Sequence, residues 1–258
     1  MSERPPRATA VLGTLVLVAA VANLNLTVAN VALPSIGEAF NASQLQLNLV
    51  AVGYSLGLAA SVLWFGALGD RYGRKLMIVL GMTAAIPASL LAGLAPGWIV
   101  LFVARVFGGL SAGLTYPTTL ALITVMWSGQ SRTKAIALWS ALGTGAAVIG
   151  PLLSGILLQS FEWGSVFLVT IPLAVAALLL TLRLVPSHLT ESKDPVDNLG
   201  GVVSAVMIGM LVIGLNIVAA PNMLGLAVGL FVGAAVLAAA FVLRQPRARN
   251  PLYDLSVA

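Results

Sequence analysis

The chain has 258 residues, of which 59% are hydrophobic and only 8% are charged, and its mean hydropathy is +1.03. A water-soluble domain of this length would have too little polar surface to cover itself, so lipid is the expected solvent for most of the molecule. The formal net charge is +5, and the chain has no cysteine. Disulfides, thiolate catalysis and cysteine metal sites are therefore excluded.

Eight apolar runs, each close to the roughly 20 residues that cross a bilayer core, follow one another along the chain. We expect spans at 10–33, 47–69, 76–94, 98–126, 135–157, 164–184, 200–219 and 223–243. Unbroken apolar runs exclude the alternating strands of a membrane barrel, so the predicted fold class is all-α and polytopic. The first run is long and lacks a small-residue cleavage site, which predicts a retained helix rather than a signal peptide.

The loops between these runs differ in charge. Every Lys and Arg except Arg105 falls on one side of the membrane under this threading. By the positive-inside rule, both termini are expected in the cytoplasm, and the loops 34–46, 95–97, 158–163 and 220–222 outside. The expected location is the cell membrane, and the basic charge needs no nucleic-acid partner to explain it.

The turn between the second and third runs is the most patterned part of the chain. Residues 66–75 read GALGDRYGRK, with Gly66, Gly69 and Asp70 at the end of a helix. Because the Asp70 carboxylate opposes the helix dipole there, we expect Arg71 or Arg74 beside it. The two glycines would admit a neighbouring helix. The alternative is a topology-setting turn whose charges are simply solvated.

Arg105 is the one Lys or Arg that lies well inside a run, roughly 10 Å from its external end. A buried cation costs at least about 2.5 kcal/mol on insertion scales, so Arg105 should face the bundle interior or a wet cavity. Its nearest candidate partners are Asn25, Thr27 and Asn30, at least two of which share a helix face. All four are candidates for substrate or proton handling. The alternatives are an arginine bonded to backbone carbonyls and plain hydrogen bonding between helices.

The fourth and fifth runs contain further candidates. Four glycines and a proline stand in the fifth run, namely Gly143, Gly145, Gly150, Pro151 and Gly155. Glycine permits close packing and proline a bend, which suits either a rocking helix or an ordinary packing interface. Tyr116 and Trp139 are candidates for lining a drug cavity, although Trp139 could instead be an interfacial anchor.

Several of these segments resemble one family. Residues 66–75 are similar to the loop between the second and third helices of the major facilitator superfamily, G-x-L-x-D-R-x-G-R-K. Residues 24–34 resemble the L-D-x-T-V-V-N-V-A-L-P signature of its fourteen-helix multidrug-resistance branch, with Asn25 where Asp is usual. Residues 105–113 resemble its R-x-x-Q-G element, and residues 143–155 its antiporter glycine–proline motif. Segments 163–172, 194–201 and 250–255 are similar to the sixth-helix entry, the linker and the segment after the eighth helix.

The resemblance implies a secondary transporter of the drug:proton antiporter type, which exports hydrophobic small molecules. It implies a cytoplasmic segment at 1–9, a six-helix bundle at 10–184, a linker at 185–199, two additional helices at 200–243 and a cytoplasmic tail at 244–258. In this family two six-helix halves rock around a site between them. The chain is therefore expected to supply the amino-terminal half only.

The resemblance also implies roles for particular residues. The gating loop would consist of Gly66, Gly69, Asp70, Arg71, Gly73, Arg74 and Lys75, and in the family the equivalent aspartate latches onto a helix of the other half. The cavity-facing side of the bundle is expected to carry Asn25, Asn30 and Arg105. Because lipid would not solvate these groups, we expect the isolated chain to self-associate or to be unstable.

The expected partners are the lipid bilayer, a small-molecule substrate, protons, and either a carboxyl-terminal half or a second copy. Two other interpretations stay open. The chain could be a non-transporting membrane fragment that serves as an assembly or binding module, or a half-transporter that works only as a dimer or with a separate carboxyl-terminal partner. No phosphate loop, HExxH motif or nucleophile elbow occurs in the sequence, so neither an enzyme nor a cofactor is expected.

Overall fold

The computed structural model describes residues 7–187 and 196–245, and within these ranges there are nine helices and no strands. The helices are α1 Ala8–Phe40, α2 Gln44–Tyr72, α3 Arg74–Gly93, α4 Trp98–Met126, α5 Gly129–Leu157, α6 Ser165–Leu168, α7 Thr170–Leu184, α8 Asn198–Ile217 and α9 Leu224–Arg244. Only Val169 separates α6 from α7, and together they form the sixth span. The all-α fold class and the eight predicted spans are confirmed. Much of the predicted linker and tail, with segment 250–255, lies outside the described residues.

The predicted loop at 34–46 is too long, because α1 continues through Pro34 to Phe40 and α2 already begins at Gln44. Polar residues after position 34 lower the hydropathy, but tertiary packing keeps this stretch helical. The Phe40 ring packs edge-on against Trp163, with ring centroids 5.1 Å apart. The helix then ends at Asn41, whose φ of 49° is left-handed. Hydropathy thus marks where the apolar run stops, not where the helix stops.

A capping box starts α2 directly after this turn. The Ser43 hydroxyl accepts a hydrogen bond from the backbone N–H of Gln46, and the Gln46 side chain accepts one from the Ser43 N–H at 2.8 Å. Both bonds satisfy backbone donors that the first helical turn leaves free. Helices α1 and α2 are therefore antiparallel neighbours joined by residues 41–43 alone.

The helices pack in a fixed order around α4. Helices α2 and α3 both lie along α4, α1 packs on α5, and α7 covers parts of α3 and α1. The α2–α4 contact depends on glycine: a Cβ at Gly57 would lie 2.1 Å from the carbonyl oxygen of Val106, and one at Gly109 would lie 2.0 Å from that of Tyr54. Only residues without a side chain let two backbones approach this closely.

The outer surface of the bundle is apolar. Large aliphatic side chains are exposed on the long helices, among them Leu80, Leu91, Val103 and Val236. Such a surface is unfavourable in water but matches a bilayer. With eight helices long and apolar enough to cross a membrane, the chain is a multi-pass membrane protein.

Helices α8 and α9 form a hairpin, and α8 packs on α2. At its open end the guanidinium of Arg244, at the end of α9, binds the carboxylate of Asp197, which caps α8 and also accepts from the Gly200 N–H at 2.9 Å. Burial alone would raise the pKa of Asp197, but the hydrogen bonds from Arg244 and Gly200 outweigh it and hold that pKa below its ordinary value. The carboxylate therefore stays ionised and keeps the two helix ends together.

Candidate functional site

Arg105 lies at the centre of the six-helix bundle and is only 2% exposed. Its Nη1 donates to the carbonyl oxygen of Asn25, and its Nη2 donates to that of Leu26 at 3.3 Å. The guanidinium carbon is 4.9 Å from the ring centroid of Tyr54 and 5.8 Å from that of Phe167. Two backbone carbonyls of α1 and two aromatic rings therefore hold the guanidinium. This matches the contact expected of an arginine bonded to backbone carbonyls.

The Asn25 side chain joins three helices next to Arg105. Its Oδ1 accepts hydrogen bonds from the hydroxyls of Ser89 on α3 and Thr170 on α7, both at 3.2 Å, and these hydroxyls lie 3.1 Å from each other. Its Nδ2 donates to the carbonyl oxygen of Val21 at 3.0 Å. We call Asn25, Ser89, Arg105 and Thr170 the Arg105 cluster. Every member is buried, so the cluster connects α1, α3, α4 and α7 inside the bundle.

The expectation that Asn25 and Arg105 line an exposed cavity face is therefore wrong. Both are buried within the six helices, whereas Asn30 is exposed. Five residues along a helix correspond to a rotation of about 140°, so Asn25 and Asn30 cannot share a face. Thr27 turns towards α5, and its hydroxyl donates to the carbonyl oxygen of Asn23 at 3.1 Å. Of the three predicted partners, the structure brings only Asn25 to Arg105.

The charged turn holds four helices together. Asp70 accepts hydrogen bonds from Arg74 Nη2 at 2.9 Å and Nε at 3.3 Å, and Arg74 Nη1 donates to the carbonyl oxygen of Ala121 on α4 at 2.9 Å. The Arg74 side chain is 6% exposed and that of Asp70 is 47% exposed. Lys75 Nζ donates to the carbonyl oxygen of Leu182 on α7 at 2.9 Å. Arg74 is thus the cation beside Asp70, and half of the carboxylate remains accessible.

The glycines of this turn have different surroundings. Gly73, between α2 and α3, has a φ of 105°, which a residue with a side chain rarely adopts. A Cβ at Gly69 would lie 3.5 Å from Thr118 Oγ1, which is ordinary contact with α4. The close approach expected at Gly66 is not found, because a Cβ there would meet nothing within 4 Å. Arg71 lies over the ring of the following residue, with 6.0 Å to the ring centroid.

One face of α5 packs on α1. A Cβ at Gly150 would lie 2.2 Å from Thr27 Oγ1, and the Ser154 hydroxyl donates to the carbonyl oxygen of Val28 at 2.9 Å. Gly143 faces α1 as well. This face carries small residues at helical spacing, which lets the two helices approach closely.

The opposite face of α5 has no neighbour among residues 7–187 and 196–245. A Cβ at Gly145 or at Gly155 would meet nothing within 4 Å, and Leu152 between them is 66% exposed. Pro151 lies within the helix, where its missing N–H leaves the carbonyl of Ala147 without its helical partner. The five residues of the glycine–proline pattern are therefore divided between a packed face and an open one.

Tyr116 and Trp139 contact each other, with ring centroids 5.1 Å apart. Trp139 is 6% exposed, and its Nε1 donates to Thr119 Oγ1 at 3.0 Å. It joins α4 to α5 inside the bundle, so the interfacial position considered from the sequence is wrong. Neither ring lines the small cavity beside Arg105.

Sequence reasoning missed Tyr54, Ser89 and Thr170. Single hydroxyl residues within apolar runs carry no signal of their own, because each could equally bond its own helix. The glycine contact between α2 and α4 could have been predicted from the sequence. Two glycine pairs have the four-residue spacing of a small-residue packing motif, namely Gly53 with Gly57 and Gly109 with Gly113.

The membrane-crossing helices, with polar groups tied together inside the first six spans, make this chain a polytopic α-helical membrane protein. Residues 15–244 match the family described as the Major Facilitator Superfamily. The chain belongs to this family of membrane transporters.

Curated relatives are drug-resistance proteins. The chain is 35% identical to the multidrug efflux pump LfrA of Mycolicibacterium smegmatis, over 99% of this chain and 51% of that protein. It is 34% identical to a lincomycin resistance protein of Streptomyces lincolnensis, over 90% of this chain and 48% of that protein. It is 37% identical to the methyl viologen resistance protein SmvA of Salmonella typhimurium, over 74% of this chain and 38% of that protein. The chain thus spans about half the length of the first two, and less of the third.

Solved structures agree on the fold. The crystal structure of the human organic anion transporter MFSD10 matches with a TM-score of 0.64 at 15% identity, over 84% of this chain and 57% of that one. A bacterial homologue of the human lysosomal transporter Spinster, inward-facing and occupied, matches with a TM-score of 0.58 at 21% identity, over 92% and 60%. At these identities the likeness concerns the fold alone.

Proposed function

We propose that this chain forms one six-helix wall, with two additional helices, of a secondary transporter that exports hydrophobic small molecules in exchange for protons. Family membership and the drug-efflux relatives support transport of this class. In such transporters substrate binds near the midplane between two halves that rock against each other. The opposite wall would come from a second six-helix bundle, and the units would be 10–184 for the first bundle and 200–243 for the added helices.

The uncovered face of α5 is the observation that carries this proposal. One face of α5 is packed on α1, while the face with Gly145, Leu152 and Gly155 has no neighbour in the described structure. A second bundle could approach the α5 backbone closely there, because two of these residues add no bulk. Pro151 lies beside this face and permits the bend that a rocking helix needs.

The polar groups divide between two roles in this proposal. Asn30 is exposed, so it would line the transport cavity and contact substrate, whereas Thr27 packs against Gly150 of α5. Asn25 and Arg105 are buried and hold α1 on its neighbours. An amide does not titrate and a guanidinium stays protonated, so the coupling proton would bind a group outside the Arg105 cluster.

The charged turn would act as the gate. Arg74 fastens the turn to α4 through Ala121, while the half-exposed Asp70 carboxylate keeps lone pairs available to a donor from another helix. Such a contact forms only when the two halves close on this side, so it would favour one state of the transporter. With the basic loops on this side, both termini would be cytoplasmic and the protein would lie in the cell membrane.

A second candidate is a half-transporter that pairs with another copy of itself. The same uncovered α5 face favours it, since a two-fold pair would bury that face against its own equivalent. An assembly module without transport is the remaining alternative.

Expression in a drug-sensitive bacterium separates these functions. The chain is produced alone or together with the carboxyl-terminal bundle of LfrA, and ethidium loss from loaded cells is followed with and without a protonophore. We expect efflux from the combination only, and its arrest by the protonophore. Protonophore-sensitive efflux by the chain alone would support the dimer. If neither the chain alone nor the combination shows efflux, although both proteins are present in the membrane, the result would favour the assembly module without transport.

A further inference from the structure

The positive charge of Arg105 has no negative partner in the ranges 7–187 and 196–245. The acidic residues of these ranges are Glu38, Asp70, Glu162 and Asp197. None of them contacts Arg105: Asp70 binds Arg74, Asp197 binds Arg244, and the other two are exposed. Arg105 is 2% exposed, so very little of its side chain is open to a group outside the described helices. A buried charge without a counter-charge is strongly unfavourable.

Hydrogen-bond donors remain unused around this charge. Arg105 Nε is buried and makes no hydrogen bond. The Tyr54 hydroxyl makes none with any described residue, although Tyr54 is 4% exposed. The Asn25 side-chain amide donates one of its two N–H groups to the carbonyl oxygen of Val21, which leaves the second N–H for another acceptor. Arg105 Nε is thus a buried donor without an acceptor, and the two neighbouring residues have donor capacity to spare, which normally indicates an unseen acceptor.

These residues border one small cavity, which lies between α1, α2, α3, α4 and α6. Arg105, Tyr54 and Asn25 line it together with Ser111 and Thr115. The two hydroxyls already donate to carbonyls of their own helix, so they do not compete for the role of donor. The free volume is about 10 Å³, close to the least that holds one water molecule, so a monatomic ion would fit only with a small outward shift of the lining side chains. Carboxylate- and phosphate-bearing molecules are too large for it.

We propose that this cavity binds a monatomic halide, chloride in the cell, as the counter-ion of Arg105. A water molecule would accept hydrogen bonds from the same donors but would leave the charge of Arg105 uncompensated. A halide ion accepts the hydrogen bonds and also compensates the charge. The ion would accept from Arg105 Nε and from the Tyr54 hydroxyl while the Nη groups stay on the α1 carbonyls. The proposal is independent of the transport function, because the cavity lies within one bundle.

Two measurements on the purified chain test this site. Thermal unfolding in detergent is followed while chloride replaces gluconate at constant ionic strength, and crystals grown in bromide are examined for anomalous scattering. We expect Tm to rise with the logarithm of the chloride concentration above the dissociation constant. We also expect a bromide peak within hydrogen-bond distance of Arg105 Nε.

Tyr54→Phe removes one donor and keeps the ring, so it should shift the chloride dependence to several-fold higher concentration. Tyr72→Phe makes the same change at an exposed position, and the chloride dependence of its Tm should equal that of the unsubstituted chain. Arg105→Met should abolish it if that variant folds. Equal Tm values in chloride and gluconate, a bromide peak elsewhere only, or an unchanged dependence in Tyr54→Phe would each overturn the proposal.

Discussion

The indole Nε1 of Trp64 donates a hydrogen bond of 3.0 Å to Oδ1 of Asn198, which joins α2 to the first turn of α8. The same indole lies against Gly201, where an added Cβ would stand 2.4 Å from Trp64 Cδ1. The hairpin of α8 and α9 is therefore docked six residues before Asp70, on the helix that leads into the charged turn. Any movement of α2 would carry the hairpin with it.

Gly201→Leu should undock this hairpin, because the new side chain cannot share the space of the Trp64 ring. Overpacking of this kind costs about 1–3 kcal/mol, and it should appear as a lower Tm in detergent. Gly209→Leu adds the same bulk to the same helix at a position with nothing within 4 Å, and it should leave Tm unchanged. Equal Tm values for the two variants would show that the Trp64 contact does not hold the hairpin.

The two faces of α5 should respond differently to added bulk. Gly150→Leu should lower the free energy of unfolding by about 1–3 kcal/mol, since its side chain would collide with Thr27 on α1. Gly145→Leu should leave stability unchanged but should impair efflux when a second bundle is present. Normal efflux by Gly145→Leu would show that this face does not meet another bundle.

Asp70→Asn should abolish transport by the assembled transporter while leaving expression and Tm nearly unchanged. Half-exposed ion pairs contribute about 0–1 kcal/mol, and Arg74 keeps its bond to Ala121. Glu162→Gln, a neutralised acid at an exposed position elsewhere, serves as the control for the loss of charge. Unchanged ethidium efflux by Asp70→Asn would mean that the turn only sets topology.

Arg105→Ala should abolish transport, because the carbonyls of Asn25 and Leu26 would lose the donors that fix α1 to α4. Arg105→Lys should rescue poorly, since one ammonium cannot reproduce the planar fork that meets two carbonyls. Arg183→Lys, at an exposed position, should behave as the parent. Efflux rates and Tm are compared for all three, and full efflux by Arg105→Ala would show that transport does not need the bonds between Arg105 and α1.

The sequence was sufficient for the helices but not for their contacts. Apolar runs predicted all eight spans, because a backbone in hydrocarbon must bond within its own segment. The same signal failed after Pro34, where α1 is kept helical by the contact of Phe40 with Trp163. Hydropathy indicates whether a residue prefers lipid or water. It carries no information on packing between residues that are far apart in the sequence.

The candidate site shows the same division. The position of Arg105 within the fourth run was enough to predict that it is buried, and Asn25, Thr27 and Asn30 were the nearest polar candidates. The actual bond is to the Asn25 backbone carbonyl, while its side chain is used by Ser89 and Thr170. Which atom of Asn25 accepts the hydrogen bond depends on how α1 is rotated and how it crosses α4. Neither quantity can be predicted from the sequence of a single helix.

Dye efflux from liposomes tests the central claim most directly, namely that this chain is one of two walls of a proton-driven transporter. The purified chain is reconstituted alone, as a demonstrated monomer, and with a carboxyl-terminal six-helix bundle, and ethidium movement is followed under an imposed pH gradient. The account predicts gradient-dependent efflux only when both bundles are present. Gradient-dependent efflux by the monomeric 258-residue chain would contradict it.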